Sequence, residues 1–185
     1  MDLSIIIVTH NSSSVVVRCL QSIQKNPPSC SYEVVVVDNA SKDGTVEKVK
    51  ENFPDISIIS NESNLGYSRG VNQGISFSKG KWILILNPDI EVNPGSIDSL
   101  IEFMEKTPDA GIAASKLVYP DGTLQHSCRR FYTLSALILR RTFLGKIFPD
   151  ARPLREHLML DYDHEKPKKV DWVIGACTVS YTHLT

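Results

Sequence analysis

The sequence predicts an α/β protein with a mostly parallel sheet flanked by helices. Short apolar segments are typical of strands buried on both faces, and amphipathic segments with helical spacing lie between them. The two kinds of segment alternate along the chain, which favours a doubly wound sheet. The chain has 185 residues, of which 42% are apolar, so it is long enough for one domain with a sizeable core.

Four segments are predicted to form the strands of this sheet. They are Ser4–Thr9, Glu33–Val37, Ile56–Ser60 and Trp82–Leu86. Pro88 removes a backbone donor, so strand pairing should stop near it and leave Asn87 and Asp89 at the carboxyl end of the fourth strand. Ligands of open parallel sheets bind at this edge.

The segments between the strands carry apolar residues at helical spacing. The predicted inward positions are Val16, Cys19, Leu20 and Ile23 in the first helix, Val46, Val49 and Phe53 in the second, Val71 and Ile75 in the third, and Ile97, Leu100, Ile101 and Met104 in the fourth. Ser12 offers a cap to the first helix, and Pro27 ends it. Asn93 and Pro94 are predicted to be the cap and first position of the fourth helix.

After Pro108 the sequence changes character. A strand is predicted over Gly111–Tyr119, followed by a turn at Asp121 and a hairpin partner. Phe131–Phe148 is apolar and partly helical in pattern, and Val170–Ala176 is predicted to be a strand.

Composition excludes several classes of function. Twenty Lys and Arg residues stand against 21 Asp and Glu, and this balance argues against general nucleic-acid binding. The four cysteines form no CxxC pair, so neither a zinc site nor a disulfide framework is indicated, and a reducing, cytoplasmic location is favoured. The sequence contains no apolar run of about 20 residues, and we expect no targeting segment, since Leu3–Val8 has neither a basic start nor a cleavage site.

Polar residues follow three of the predicted strands. Thr9 and Asn11 follow the first, Asp38 the second, and Asn87 and Asp89 the fourth. A nucleotide needs amide and backbone groups for its base, a carboxylate for its ribose or base, and a metal for its phosphates. A lone carboxylate at a strand end is more often a turn former or helix cap, but two such strand ends favour a binding site.

The segment from Asn64 to Gly74 contains three glycines at a spacing of four. Small residues at this spacing can permit close packing of a helix on a sheet, and Arg69 can pair with a phosphate or remain in solvent. The segment is not GxGxxG, which disfavours an NAD dehydrogenase, and no GxxxxGK[ST] loop is present.

Five motifs together resemble the family-2 glycosyltransferases of GT-A fold. They are SIIIVTHN, EVVVVDNASKDGT, NLGYSRGVNQGI, WILILNPDI and VDWVIGAC. Their order and spacing are most similar to the bacterial rhamnosyltransferase-like branch, and the resemblance extends over nearly the whole chain.

The resemblance implies roles at the nucleoside end of a donor site. It implies that Thr9 and Asn11 border the base, with Thr9 acting through its backbone, and that Asp38 binds the base or ribose. The segment that closes over the nucleotide would include Asn64, Gly66, Arg69 and Asn72.

At the diphosphate end, the resemblance implies a metal site. Asp89 matches the last acid of the family's DXD motif, which holds Mg²⁺ or Mn²⁺ against the donor diphosphate. Asn87 replaces the first acid; an amide oxygen can coordinate a cation but brings no charge, so low metal affinity is expected.

The implied reaction is transfer of a sugar, rhamnose among the candidates, from a dTDP- or UDP-sugar to a saccharide or lipid-linked acceptor, with inversion, in cell-surface polysaccharide synthesis. The family's general base is an Asp downstream of the VDWVIGA strand, but residues 178–185 contain no acid. We therefore expect a C-terminal truncation that removes the base and a partner strand, leaving the chain inactive in transfer.

Other acids and histidines are weaker candidates. Asp121 is expected to be a turn residue, and the role of Asp171 is left open. His10 and His126 have no ligand partners at a recognisable spacing, so they are expected to be solvated or hydrogen-bonded loop residues.

We expect one glycosyltransferase domain over residues 1–185, with a donor-binding part at about 1–118 and an incomplete acceptor part at about 119–185. The basic, apolar segment Arg129–Arg155 either packs on the sheet or contacts an anionic membrane, peripherally at the inner face of the plasma membrane.

Two alternative functions remain at this point, a non-catalytic nucleotide-sugar binding module and a sugar nucleotidyltransferase. A sugar nucleotidyltransferase is expected to have a glycine-rich, basic loop after the first strand. At that position this chain has Thr-His-Asn-Ser-Ser-Ser.

Overall fold

The computed structural model describes residues 1–181. These residues form two compact units, the first containing residues 1–115 and the segment that begins at Gly175, and the second containing Lys116–Ile174. Among the described helices, none has the length and apolar character needed to cross a bilayer.

The first unit is built on a six-stranded mixed sheet. Its strands are β1 (Leu3–Thr9), β2 (Tyr32–Asp38), β3 (Ser57–Ser60), β4 (Trp82–Leu86), β5 (Ile112–Ala114) and β10 (Cys177–Tyr181), in the spatial order β3-β2-β1-β4-β10-β5. The first four strands in this order are parallel, and β10 runs antiparallel to β4 and β5. The predicted α/β fold class is confirmed.

Four helices complete the first unit: α1 (Ser13–Lys25), α2 (Thr45–Asn52), α3 (Tyr67–Phe77) and α4 (Ser96–Lys106). Every residue of β1 is buried, as expected for a strand covered on both faces. On one face, Ile6 and Val8 of β1 form a cluster with Val71 of α3. Ile5 and Ile7 point to the opposite face and are buried as well.

Helix α3 lies close to the sheet because it has glycines on its inner face. A Cβ on Gly74 would lie 2.5 Å from Cγ2 of Ile6, and one on Gly70 would lie 2.8 Å from Cγ1 of Val8. These two glycines therefore serve helix–sheet packing, which was one of the two roles open for the glycine-rich segment.

The start of α4 differs from its prediction. The helix begins at Ser96, not at Pro94, and Asn93 and Pro94 lie in a turn in which the Ser96 N–H donates to the Asn93 carbonyl over 3.2 Å. The chain enters the helix through Gly95, at φ 70°, a conformation that favours glycine. The predicted inner face is correct, since all four of its predicted residues are buried.

The expectation that a partner strand is missing was wrong. Cys177–Tyr181 forms β10, which pairs with β4 over five residues and with β5 over three. Its alternation explains the pairing: Cys177 and Val179 are buried, and the ring of Tyr181 lies 4.2 Å from that of Trp82. The predicted strand at Val170–Ala176 is correspondingly short, since only Trp172–Val173 (β9) is extended and paired.

The second unit contains two small two-stranded sheets and three helices. Its elements are β6 (Leu117–Val118), β7 (Leu124–Gln125), β8 (Cys128–Arg129), α5 (Leu134–Arg141), α6 (Leu144–Ile147), α7 (Arg152–Leu158) and β9. The hairpin predicted around Asp121 is present as β6–β7. The single strand predicted at Gly111–Tyr119 is divided between β5, which pairs with β10, and β6, which pairs with β7.

Candidate functional site

Three parallel strands of the first unit end side by side. The register pairs Thr9 with Asp38 across β1 and β2, and pairs Ile7 with Leu86 across β1 and β4. Asn87 directly follows β4, so the polar residues predicted at three strand ends share one edge of the sheet.

Asp38 is deeply buried at this edge, with 2% of its surface exposed. Its Oδ1 accepts hydrogen bonds from Thr9 Oγ1 at 2.9 Å and Ser41 Oγ at 2.5 Å, and its Oδ2 accepts from the Ser41 N–H at 2.9 Å. The carboxylate therefore anchors the loop that follows β2. It retains acceptor capacity for one further donor, such as a ribose hydroxyl or a base N–H.

Asn11 joins the loop after β1 to the loop after β2. Its backbone is left-handed, at φ 50°, its N–H donates to Ser41 Oγ at 2.8 Å, and its Oδ1 accepts from the Lys42 N–H at 2.8 Å. Asn residues tolerate this conformation better than most. Asn11 therefore shapes the rim of the site.

Asp43 ties the same loop to α1. Its carboxylate accepts hydrogen bonds from the Thr45 hydroxyl at 2.5 Å and from the Ser13 N–H at 2.9 Å. These bonds favour the charged form and lower the pKa of Asp43 to about 2. Two adjacent loops are thus cross-linked at the mouth of the site.

Asn87 is held on both sides at the end of β4. Its N–H donates to the Ala176 carbonyl at 2.8 Å, and its Oδ1 accepts from the Tyr67 hydroxyl at 3.1 Å. The same hydroxyl lies 3.3 Å from the Gly175 carbonyl, and burial raises the pKa of Tyr67. The sequence analysis did not identify Tyr67 as a residue of the site. Its position directly after Gly66, at the start of a helix, was a signal that could have identified it.

Cys19 lies beneath this strand end. Its thiol contacts the Asn87 carbonyl, with the sulfur 3.7 Å from the oxygen. Burial, with a smaller contribution from the charge of Asp89, raises the pKa of Cys19 to about 12. The thiol is therefore neutral and unsuited to nucleophilic work.

Asp89 is exposed, two residues beyond Asn87. Within residues 1–181, no three His, Cys, Asp or Glu side chains are grouped so that they could hold a metal ion by themselves. One free carboxylate and one amide oxygen fit a hard cation that takes its remaining ligands from a diphosphate and water, as Mg²⁺ commonly does. The residues present therefore fit a metal that binds together with a nucleotide.

A network of side-chain amides supports the start of α3. Asn39, 2% exposed, donates from Nδ2 to the Gly66 carbonyl at 3.2 Å and accepts at Oδ1 from Asn61 at 3.0 Å. Asn61 and Gln73 exchange hydrogen bonds of 2.8 and 2.9 Å. Asn64 accepts from the Gly66 N–H at 2.9 Å. These amides fix the glycine-rich segment against β2 and β3.

Arg69 and Asn72 lie on the exposed side of α3. They line an open groove of about 550 Å³ together with Ile59 of β3, and neither Asp38 nor Asp89 lines it. The structure thus brings together the residues predicted at the strand ends, and it leaves Arg69 and Asn72 in a separate groove.

The remaining acids have local structural partners. Asp121 accepts hydrogen bonds from the Thr123 N–H and hydroxyl, which lower its pKa, so the prediction of a turn residue is confirmed. Asp171 accepts from the Phe131 N–H at 2.8 Å and lies 3.7 Å from Arg130. It therefore organises the second unit.

The two candidate histidines differ in their hydrogen bonding. His10 donates from Nδ1 to the Asn39 carbonyl at 2.7 Å, as expected of a hydrogen-bonded loop residue. His126 is a partly exposed loop residue whose Nδ1 is buried without a hydrogen-bond partner among the described residues. Its ring lies edge-on to His164 at 5.9 Å, and burial lowers its pKa.

Comparison with known proteins gives similar sequences and folds. The chain is 27% identical over 189 aligned residues to the N-acetylglucosaminyl-diphospho-decaprenol L-rhamnosyltransferase of Mycobacterium tuberculosis, covering 95% of this chain and 60% of that protein. It is 32% identical to the succinoglycan biosynthesis protein ExoO of Rhizobium meliloti, over 55% of this chain and 29% of that one. The chain thus spans less than two thirds of the length of each of these relatives.

Two solved structures share the fold. TarS 1-349 of S. aureus in complex with UDP-GlcNAc aligns with a TM-score of 0.59 at 23% identity, covering 80% of this chain and 48% of that one. A mannosyltransferase from Pyrobaculum calidifontis in complex with GDP-Man and Mn²⁺ aligns with a TM-score of 0.57 at 24% identity, covering 64% and 36%.

The family model for glycosyl transferase family 2 matches residues 4–158, which include the strand ends and loops described above. This match covers most of the chain, and it agrees with the GT-A-type sheet. The chain belongs to glycosyl transferase family 2.

Proposed function

We propose that this protein is an inverting glycosyltransferase that moves a sugar from a nucleotide-diphosphate donor to an acceptor hydroxyl. One observation supports the proposal: in a family 2 chain, Asp38 ends β2 and Asn87 follows β4 at the same carboxyl edge of parallel strands, with Asp89 two residues further on. Ligands of open α/β sheets bind at this edge.

The nucleoside is proposed to bind at the ends of β1 and β2. Asp38 holds the floor of this site through Thr9 and Ser41, and its remaining acceptor capacity faces a ribose hydroxyl or base N–H. Asn11 borders the base, with its side chain already fixed by the Lys42 N–H. Arg69 and Asn72 line a separate groove, so we assign their contact with the nucleotide to a closed state of the segment. Gly66 bonds to Asn39, directly after Asp38, and Asn64 bonds to Gly66, so these two are proposed to border the nucleoside without such a movement.

The diphosphate is proposed to bind beside Asn87 and Asp89. Asp89 is exposed and supplies the charged oxygen, and Asn87 supplies a neutral one whose orientation is fixed by Tyr67. Bound Mg²⁺ or Mn²⁺ would offset the negative charge of the departing diphosphate. The complex of the Pyrobaculum calidifontis neighbour with GDP-Man and Mn²⁺ supports this pairing of nucleotide and metal.

The donor and acceptor classes are suggested by the relatives. The name of the Mycobacterium tuberculosis relative specifies L-rhamnosyl transfer to a diphospho-decaprenol-linked sugar. We propose a dTDP- or UDP-sugar donor, with rhamnose as the first sugar to test, and a saccharide or lipid-linked acceptor in cell-surface polysaccharide synthesis. Four free cysteines agree with a reaction in the cytoplasm.

Inversion requires a base that takes the proton of the acceptor hydroxyl as it attacks the anomeric carbon. Asp121 and Asp171 are both engaged in local structure, so we assign this role to neither. The same observation supports a second candidate function, donor binding without transfer.

Nucleotide-induced thermal stabilisation tests the proposal. Tm is measured with dTDP, UDP and GDP, with and without Mn²⁺, for the wild type and for Asp38→Asn. We expect one diphosphate to raise the Tm, with Mn²⁺ increasing the shift, because binding to the folded state alone stabilises it. Asp38→Asn should weaken binding of that nucleotide whether or not metal is present.

Failure of every diphosphate to shift the Tm would contradict the proposed function. Release of free sugar from the matching nucleotide sugar separates the two candidates, since a binding module would stabilise with the donor and leave it intact.

A further inference from the structure

We propose that one exposed surface of the second unit docks on an anionic lipid bilayer. This surface, which we call the α5–α6 surface, consists of Phe131, Leu134, Leu137, Ile138, Arg141, Phe143, Lys146, Ile147 and Phe148. The proposal is independent of the proposed reaction, since it concerns where the protein lies and not what it transfers.

The apolar stripe of α5 faces outward. Leu134, Leu137 and Ile138 stand at positions i, i+3 and i+4, the spacing that normally marks the buried face of a helix. They are 75%, 40% and 45% exposed, and the small residue Ala136 is the buried one. The helix thus packs through a small residue and presents its large apolar side chains to the surroundings.

Helix α6 continues this surface. Phe143 is 70% exposed, and Ile147 and Phe148 are more than half exposed. The two helices approach closely, because a Cβ on Gly145 would lie 2.2 Å from the Leu139 carbonyl oxygen. Two adjacent helices thus both expose large apolar side chains, and we infer that these form one patch, of the kind that monomeric proteins seldom leave uncovered.

Cations border the patch. Arg129–Arg155 contains seven Lys and Arg residues and one acid, Asp150, in a chain of net charge −1. Arg140 is engaged within the unit, since it donates to the Tyr132 hydroxyl at 2.6 Å and to His157 Nε2 at 3.1 Å. Its neighbour Arg141 is exposed at the end of the apolar stripe.

The cations on the α5–α6 surface differ in their ion pairing from the arginines beside that surface. Arg152 pairs with Glu156, and Arg155 pairs with Asp161. Within residues 1–181, the structure shows no ion pair for Arg141 or for Lys146. Both are therefore available to an anionic partner.

This combination favours a bilayer over a second copy of the chain. Large apolar side chains beside exposed Lys and Arg are the composition of helices that lie in the membrane interface. An isologous dimer through the same surface would bring Arg141 and Lys146 of two copies together, and like charges at an interface oppose association. Anionic headgroups complement these cations, while the apolar side chains enter the acyl boundary.

Vesicle co-sedimentation tests the proposal on the full chain. The vesicles are phosphatidylcholine alone, or phosphatidylcholine and phosphatidylglycerol in equal parts. We expect binding to the mixed vesicles that weakens as salt rises. Arg141→Gln with Lys146→Gln should lower the partition coefficient about 25-fold, since each cation near an anionic surface contributes about fivefold. Phe143→Ser with Ile147→Ser should lower it roughly tenfold or more.

Matched controls use exposed residues of the first unit. Lys25→Gln with Lys50→Gln removes the same charge, and Ile112→Ser removes an exposed apolar side chain. Both should bind vesicles as the wild type does. Circular dichroism and Tm check that each variant is folded, which their exposure favours.

Three results would overturn the proposal. The first is no binding to mixed vesicles, and the second is equal binding by the wild type and both surface variants. The third is a concentration-dependent dimer that Phe143→Ser with Ile147→Ser abolishes, which would assign the surface to a second copy.

Discussion

Asp38 combines two roles in one carboxylate. It accepts three hydrogen bonds from Thr9 and Ser41, which makes it the anchor of a loop, and it lies where a nucleoside is proposed to bind. The sequence predicts both roles separately, as a turn former or as a ligand of the ribose. The structure shows the first role, and the proposed second role is compatible with it because the carboxylate can accept a further hydrogen bond.

Tyr67 and Asn39 show the limit of residue-level prediction. Asn39 is recognisable as a polar residue at a strand end, but its partners, Asn61 and the Gly66 carbonyl, are 22 and 27 residues away in sequence. Tyr67 reaches Asn87 and Gly175 in the same way. Such contacts depend on how loops fold over the sheet, which a local pattern does not encode.

Cys19 gives a prediction for alkaline pH. Its pKa is raised from 9.0 to about 12 in the folded state, chiefly by burial. Above pH 9 the thiol ionises in the unfolded chain only, so the free energy of unfolding should fall between about pH 9 and 12, by up to ~1.4 kcal/mol per pH unit for this group.

Urea unfolding of the wild type and Cys19→Ala across this pH range measures the effect. The variant should be less stable at pH 7 but lose less stability on going to alkaline pH. Cys30→Ala, at a less buried cysteine, is the matched control. An unchanged pH slope in Cys19→Ala would show that this thiol does not titrate as described.

At the scale of secondary-structure elements, the glycines of α3 allow this helix to lie close to the sheet. Gly74→Ala should destabilise the protein by about 1–3 kcal/mol, because the added Cβ would lie 2.5 Å from Ile6 at the centre of the sheet. Equilibrium urea denaturation measures this loss. Ser76→Ala, on the exposed side of the same helix, should change the stability by no more than about 0.5 kcal/mol.

A neutral Gly74→Ala would mean that α3 can move outward without cost. In that case the close contact with β1 would not determine where α3 lies. The network of side-chain amides at the start of the helix would position it instead.

The parallel strands could be predicted because burial on both faces leaves an uninterrupted apolar run, as in Trp82–Leu86. Strand β10 could not, because its mixed sequence, CTVSY, becomes a strand only between β4 and β5. The start of α4 was misplaced for a related reason. Asn-Pro is a good helix start in isolation, but here the turn around Gly95 determines where the helix begins.

For the whole molecule, the structure places only some of the residues predicted for a donor site at one edge of the sheet. Strand order and register bring Asp38 and Asn87 to one edge. The helical segment with Arg69 and Asn72 faces a different groove, because the glycines of α3 turn its opposite side to the sheet. Pattern and spacing locate the strand ends reliably, whereas the direction of an exposed helical side chain follows from packing.

The exposed surface of the second unit adds a separate feature at this scale. Its basic, apolar sequence left packing on the sheet and membrane contact both open. Leu134 and Phe143 are exposed, as the proposed membrane contact requires.

Metal-dependent nucleotide binding tests the central claim most directly. Calorimetric titration of dTDP and UDP, with and without Mn²⁺, is carried out on the wild type, Asp89→Ala and Glu91→Gln. Glu91 is the matched control, since it is an exposed carboxylate two residues away whose nearest cation, Arg18, lies at 3.9 Å. We predict that Mn²⁺ strengthens binding to the wild type and to Glu91→Gln, and that Asp89→Ala loses this gain while it keeps its Tm. Equal strengthening by Mn²⁺ in all three proteins would contradict the assignment of Asp89 and the donor site built on it.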